Sequence, residues 1–132
     1  MVTLENIYQN GQVKKFKKGE KLFSRNEMVG EDAIFFIKQG LVKLLIFKKD
    51  RTELKIYLKD GDLAGVAEVY ADSPRVTESI CDSDVECYIW NKSNFILTVS
   101  MIWELSLYTI KSLSVFLKII NSEFVEKENI KF

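Results

Sequence analysis

From Met101 to Ile120 only Glu104, Lys111 and Lys118 are charged, while Ile102, Trp103, Leu105, Leu107, Ile110, Leu113, Phe116, Leu117, Ile119 and Ile120 fall on nearly every face of a helix. The spacing predicts one long helix from about Met101 to about Lys127. A helix that is apolar all round has to be buried on more than one side. The charges and the polar remainder of the chain argue against a membrane span. One side of the helix is therefore expected on the rest of the chain. The other is expected on a symmetry-related copy, with Leu105, Leu113, Phe116, Leu117 and Ile120 as contacts. Asn121 and Ser122 interrupt the apolar pattern and mark either a register device or the wet end of the helix.

Upstream the texture is different. Short apolar runs at Val13–Phe16, Lys21–Phe23, Ala33–Lys38, Leu41–Phe47, Glu53–Leu58, Val76–Cys81 and Val85–Trp90 are separated by glycine, aspartate, asparagine and serine. Their recurrence about every 8–12 residues is that of an all-β sandwich or barrel. In Glu53–Leu58, Leu54, Ile56 and Leu58 alternate with Glu53, Lys55 and Tyr57, which predicts one buried and one wet face. Leu41–Phe47 and this run form a hairpin with a charged tip. Val2–Asn10 reads as a short amphipathic helix stopped by Gly11. Val66–Tyr70 reads as a single helical turn before the bend at Ser73-Pro74. Asn91 or Ser93 caps a short helix over Asn94–Val99. Trp90 and Trp103 are expected as core anchors.

The 132 residues suit one domain, and equal numbers of Lys+Arg and Asp+Glu, 19 each, leave no net attraction for nucleic acid or anionic membrane. The absence of histidine removes the commonest general base and metal ligand. Cys81 and Cys87 are too few for a disulfide framework and read as thiols of a reducing cytoplasm. No Ser–His, Cys–His or paired-carboxylate arrangement suggests catalysis, so an enzyme is not expected. No metal site is expected either. Lys14, Lys15, Lys17, Lys18 and Lys21 cluster near the N-terminus and read as a solvated strand edge.

Four segments occur in an order that resembles the effector domain of catabolite-activator/Fnr-type (Crp/Fnr) transcription regulators. They are Phe16-Lys17-Lys18-Gly19-Glu20-Lys21-Leu22-Phe23, Phe36-Ile37-Lys38-Gln39-Gly40-Leu41-Val42-Lys43-Leu44, Lys59-Asp60-Gly61-Asp62-Leu63-Ala64-Gly65 and Ser73-Pro74-Arg75. The resemblance covers about Gln12 to about Glu126. It implies a mainly β fold with α-helices, a double-stranded β-helix or jelly-roll-like β-roll. A short N-terminal helix, a short cassette helix and a long C-terminal dimerisation helix complete it. The expected organisation is an effector domain over 1–99, the dimerisation helix over 100–127 and a frayed tail over 128–132. The family's helix-turn-helix domain is absent from this chain. The implied partners are a second copy and a small-molecule effector, with DNA touched only through that missing domain. No membrane is implied, and the expected location is cytoplasmic.

In the family, a cyclic nucleotide's phosphate is held by a Gly-Glu pair opening the cassette helix and by an Arg-Ser/Thr-Ala run beyond it. Gly65 matches the glycine and Arg75 the arginine without a gap. Val66 then stands where the ribose-binding glutamate belongs, Val76 where the serine or threonine belongs, and Thr77 where the alanine belongs. Ala67 and Glu68 complete the implied ligand-binding set of Gly65, Val66, Ala67, Glu68, Arg75, Val76 and Thr77. A hydrogen bond to a charged group is worth about 1.5–3 kcal/mol, so the lost partner weakens nucleotide binding by roughly ten- to a hundredfold. No cofactor is certain; the resemblance implies a cyclic nucleotide or another small anionic effector. The leading expectation is a ligand-sensing dimerisation domain with a degenerate cassette. One alternative is a genuine cyclic-nucleotide-binding module using Arg75 on phosphate and Glu68 on ribose. Another is a ligand-free structural dimerisation module. Arg75 could also be a surface residue paired with Asp72 or Glu78.

Overall fold

The computed structural model describes residues 7–128, with side chains described as far as Asn121. Eight strands run in the order β1 (Gln12–Phe16), β2 (Lys21–Phe23), β3 (Ile34–Gln39), β4 (Val42–Phe47), β5 (Glu53–Leu58), β6 (Leu63–Ala64), β7 (Thr77–Cys81) and β8 (Val85–Trp90). Helix α1 (Val66–Ala71) interrupts them between β6 and β7, and α2 (Lys92–Met101) and α3 (Trp103–Glu128) follow. The strands form two four-stranded sheets, β1-β8-β3-β6 and β2-β7-β4-β5, with every pairing antiparallel. This is the double-stranded jelly-roll arrangement that the family resemblance implies, and it agrees with the sandwich or barrel expected from the spacing of the runs. The helix expected over Val2–Asn10 falls largely outside the described residues. So does the tail beyond Glu128.

The two sheets are buried differently, and the sequence shows why. Phe35, Ile37, Cys87 and Ile89 point between the sheets, where they meet Phe23, Val42, Leu44 and Ile56. Their neighbours Ile34, Phe36, Tyr88 and Trp90 point outward and are covered by Phe95 of α2 and Leu105 of α3. The centre of the β1-β8-β3-β6 sheet is thus covered on both faces, so Ile34–Ile37 of β3 and Cys87–Trp90 of β8 are unbroken apolar runs. In β5 only Ile56 is fully buried while Glu53, Lys55 and Tyr57 are exposed. That strand is the sheet edge, with one wet face, and it alternates as expected. β1 is the edge of the other sheet; there Lys14 pairs with Asp32 at 2.7 Å, and Lys21 of β2 pairs with Glu78 at 3.0 Å.

Asn91 caps α2, its side chain accepting from the Asn94 amide at 2.8 Å. Ile102 then breaks the helix in an extended conformation, and α3 starts in a new direction across the roll. Leu105 and Thr109 of α3 are buried, Ser112 Oγ donates to the Leu63 carbonyl at 3.3 Å, and Tyr108 meets Phe36 edge-on at 6.2 Å. Leu113, Phe116 and Ile119 continue this inner face. The opposite face carries Trp103, Leu107, Ile110, Ser114, Leu117 and Asn121, all exposed. Two expectations are corrected here. Trp90 anchors the core, whereas Trp103 is 65% exposed because it begins the outward face. Leu105 is fully buried against its own β-roll and cannot reach another chain, so it is not part of an outward dimer contact.

Candidate effector site

Gly65 joins β6 to α1 with φ +90, a left-handed conformation that favours glycine. A Cβ there would lie 2.6 Å from the Ala33 carbonyl oxygen and 2.8 Å from Arg75 Nη1. The bare glycine is what lets the arginine fold in beneath the turn.

Arg75, just before β7, is 2% exposed. Nη1 donates to the Gly65 carbonyl at 3.0 Å and to Glu68 Oε1 at 3.2 Å. Nη2 donates to the carbonyls of Ala33 at 2.7 Å and Asp32 at 3.4 Å. The Phe23 ring lies 4.2 Å from the guanidinium carbon. Burial holds the guanidinium below its ordinary pKa, and the Glu68 hydrogen bond and charge partly offset this. The expected surface pairing is not found: Asp72 pairs with Lys92 and Glu78 with Lys21.

A cleft of about 180 Å³ opens between the β4–β5 face, the 61–68 segment and the inner face of α3. Its wall is largely apolar, with Leu44, Ile56, Val66, Leu113, Phe116 and Ile119. Its charged lining side chains are Asp62, Glu68 and Lys111. Of the seven cassette residues expected at the site, Gly65, Val66, Ala67, Glu68 and Thr77 line this cleft. Arg75 does not; it lies behind Glu68. Val76, just before β7, is 53% exposed and faces away from the buried Arg75 and Thr77, because successive residues of an extended chain point to opposite sides. Tyr108, Lys111 and Ser112 of α3 line the cleft but were not among the expected site residues, while Leu113 and Phe116, expected as dimer contacts, line it too. A signal was available for Ser112: Leu105, Thr109, Ser112, Phe116 and Ile119 repeat at alternating spacings of four and three, the inner stripe of a helix, and Tyr108 and Lys111 flank that stripe.

Cys81 and Cys87 sit between the sheets. Burial pushes their thiols up, to about 11 and about 12. They are packing groups, not reactive thiols. Among the described residues no group of three metal-ligating side chains occurs, and no helix is long and apolar enough to cross a membrane.

The comparisons agree with this architecture. The catabolite activator protein of Thermus thermophilus superposes with a TM-score of 0.76 at 16% identity, over 93% of this chain and 59% of that one. A transcriptional regulator of Thermotoga maritima gives 0.74 at 18% identity, over 94% of this chain and 96% of that one. The regulatory subunit of a cAMP-independent protein kinase A from Trypanosoma cruzi, bound to guanosine, gives 0.63 at 18% identity, over 69% of this chain and 32% of that one. At these identities the likenesses establish the fold. This chain spans only part of the catabolite activator protein. No curated protein matches it in sequence. The β-roll from Val13 through β8 and on to Val99 of α2, the segment that carries the glycine turn and the arginine, matches the model of the cyclic nucleotide-binding domain at residues 13–99, and it is to that family that this chain belongs.

Proposed function

We propose that this chain is the ligand-sensing and dimerisation part of a Crp/Fnr-type transcription regulator, with a cassette that no longer presents its arginine to a phosphate. Residues 1–99 act as the effector domain and 100–127 as the dimerisation helix. One observation carries the reading. The inner face of α3, at Leu113, Phe116 and Ile119, walls the cleft, while its outer face leaves Leu107, Ile110 and Leu117 uncovered. A ligand in the cleft therefore touches the same helix that a twin molecule would pack against. Leu107, Ser114 and Asn121 alternate with Trp103, Ile110 and Leu117 at heptad spacing, the seam of a two-stranded coiled coil. Of the dimer contacts expected from the sequence, Leu117 lies on this seam, and Leu113, Phe116 and Ile120 are half-buried beside it or beneath it. In this reading DNA is contacted through a helix-turn-helix domain, not through the β-roll or α3. The role is regulatory rather than enzymatic.

A ligand-free dimerisation module is the second reading. It is favoured by the size of the cleft, about 180 Å³ against roughly 300 Å³ at the lower end of ordinary ligand pockets. The genuine cyclic-nucleotide module finds less support, since Arg75 and Glu68 are spent on each other.

Sedimentation equilibrium tests the main reading. The expected mass is about twice the 15.3 kDa of the chain. A stable monomer at all protein concentrations would remove it.

A further inference from the structure

We propose that Glu68 determines the specificity of the cleft: its carboxylate takes the place of a phosphate on Arg75, so the cleft receives an uncharged, phosphate-free small molecule. The proposal rests on the effector-domain reading above and deepens it.

Both terminal nitrogens of the Arg75 guanidinium are engaged. Nη1 and Nη2 meet three backbone carbonyls and one carboxylate, and the guanidinium face is closed by Phe23. A phosphate could reach the fork only by displacing Glu68, the one side chain among those acceptors. Glu68 is itself 4% exposed, so a displaced carboxylate would be left buried and uncompensated. An anion entering without displacing it would sit beside a like charge in a low-dielectric wall, which is unfavourable at any geometry. The remaining charges lining the cleft do not reverse this. Asp62 is a second carboxylate, and Lys111, on α3, is solvent-exposed and screened. The rest of the wall, from Leu44 and Ile56 to Val66 and Phe116, accepts an apolar or aromatic body. Glu68 and Thr77 are the polar groups at the cassette end, and a ligand with a hydrogen-bond donor matches the carboxylate there.

Calorimetry with two probes tests this on the full chain: cAMP, and adenosine as a base and sugar without phosphate. Glu68→Ala frees the arginine, and Glu68→Gln removes the charge while keeping the shape if the alanine variant folds poorly. The expected result is that cAMP binding tightens by roughly ten- to a hundredfold over wild type in both variants. Adenosine gains nothing, and Glu68→Gln with Arg75→Gln loses the cAMP gain. The proposal is overturned if neither variant gains over wild type, if adenosine gains equally, or if wild type binds cAMP as tightly as the variants. These outcomes are separate from the sedimentation result, which bears on the effector and dimer reading alone.

Discussion

Arg75 Nη1 donates to Glu68 Oε1 across 3.2 Å, with the two side chains 1% and 4% exposed, so the cassette's cation carries its own anion. A buried pair of this kind contributes little net stability when intact, because desolvation offsets attraction, but breaking it is costly. Arg75→Ala leaves a buried carboxylate and the carbonyls of Gly65 and Ala33 without their donor. The expected loss is about 3–5 kcal/mol. Glu68→Gln keeps one hydrogen bond and is expected to lose only about 1–3 kcal/mol. Urea unfolding of the two variants and of their combination checks this. Additive losses would show that the contact is idle.

Gly65→Ala is expected to destabilise by about 1–3 kcal/mol, because alanine is strained at φ +90. Its Cβ would also press on Arg75 Nη1 at 2.8 Å and on the Ala33 oxygen at 2.6 Å. A midpoint unchanged from wild type in urea would mean that the turn yields more readily than this geometry allows.

The two faces of α3 are expected to respond differently to substitution. Leu105→Ala removes a fully buried side chain from the roll and should cost about 2–5 kcal/mol. Leu117→Glu changes a side chain that is 66% exposed in the single chain. It should halve the mass in solution while leaving the β-sheet signature in circular dichroism intact. Trp103 on the same face should report the change, its fluorescence moving to longer wavelength as the seam opens. A Leu117→Glu protein that stays dimeric would exclude this seam.

The thiols predict a loss of stability in alkali. Cys81 and Cys87 ionise in the folded chain at about 11 and about 12, against an ordinary value of 9.0. Above that ordinary value the unfolded chain releases protons that the folded chain retains, so stability falls with rising pH. The thiol contribution is constant below about 9 and declines toward the folded values, by at most about 1.4 kcal/mol per pH unit per thiol. Comparing wild type with the Cys81→Ala, Cys87→Ala double variant at about pH 8 and about pH 10 isolates the effect, since lysines and tyrosines titrate in both. Equal declines in the two proteins would refute it.

Much of the fold was legible in the chain because the strands are short, strongly β-forming and separated by turn residues. The boundaries of β2, β5 and β8 match the apolar runs to the residue. β6, only Leu63–Ala64, was not separable from the cassette approach, because two residues carry no period. Gly65 and Arg75 were recognisable by their match to the family's cassette. That Arg75 turns away from the cleft and onto Glu68 was not, since spacing along a chain says nothing about which acceptors a long side chain finds.

Local sequence alone determined the short strands and a terminal helix that could not be wet all round, because periodicity is written residue by residue; the jelly-roll arrangement and the cassette turn were implied by the family resemblance. Only the tertiary structure decided which apolar residues of that helix belong to the roll and which stay uncovered, moving Leu105 inward and Trp103 outward. It alone also decided that the cassette's arginine meets a carboxylate of its own chain. Both depend on where separate segments meet in space, and burial of a side chain is a property of that meeting, not of its neighbours in sequence.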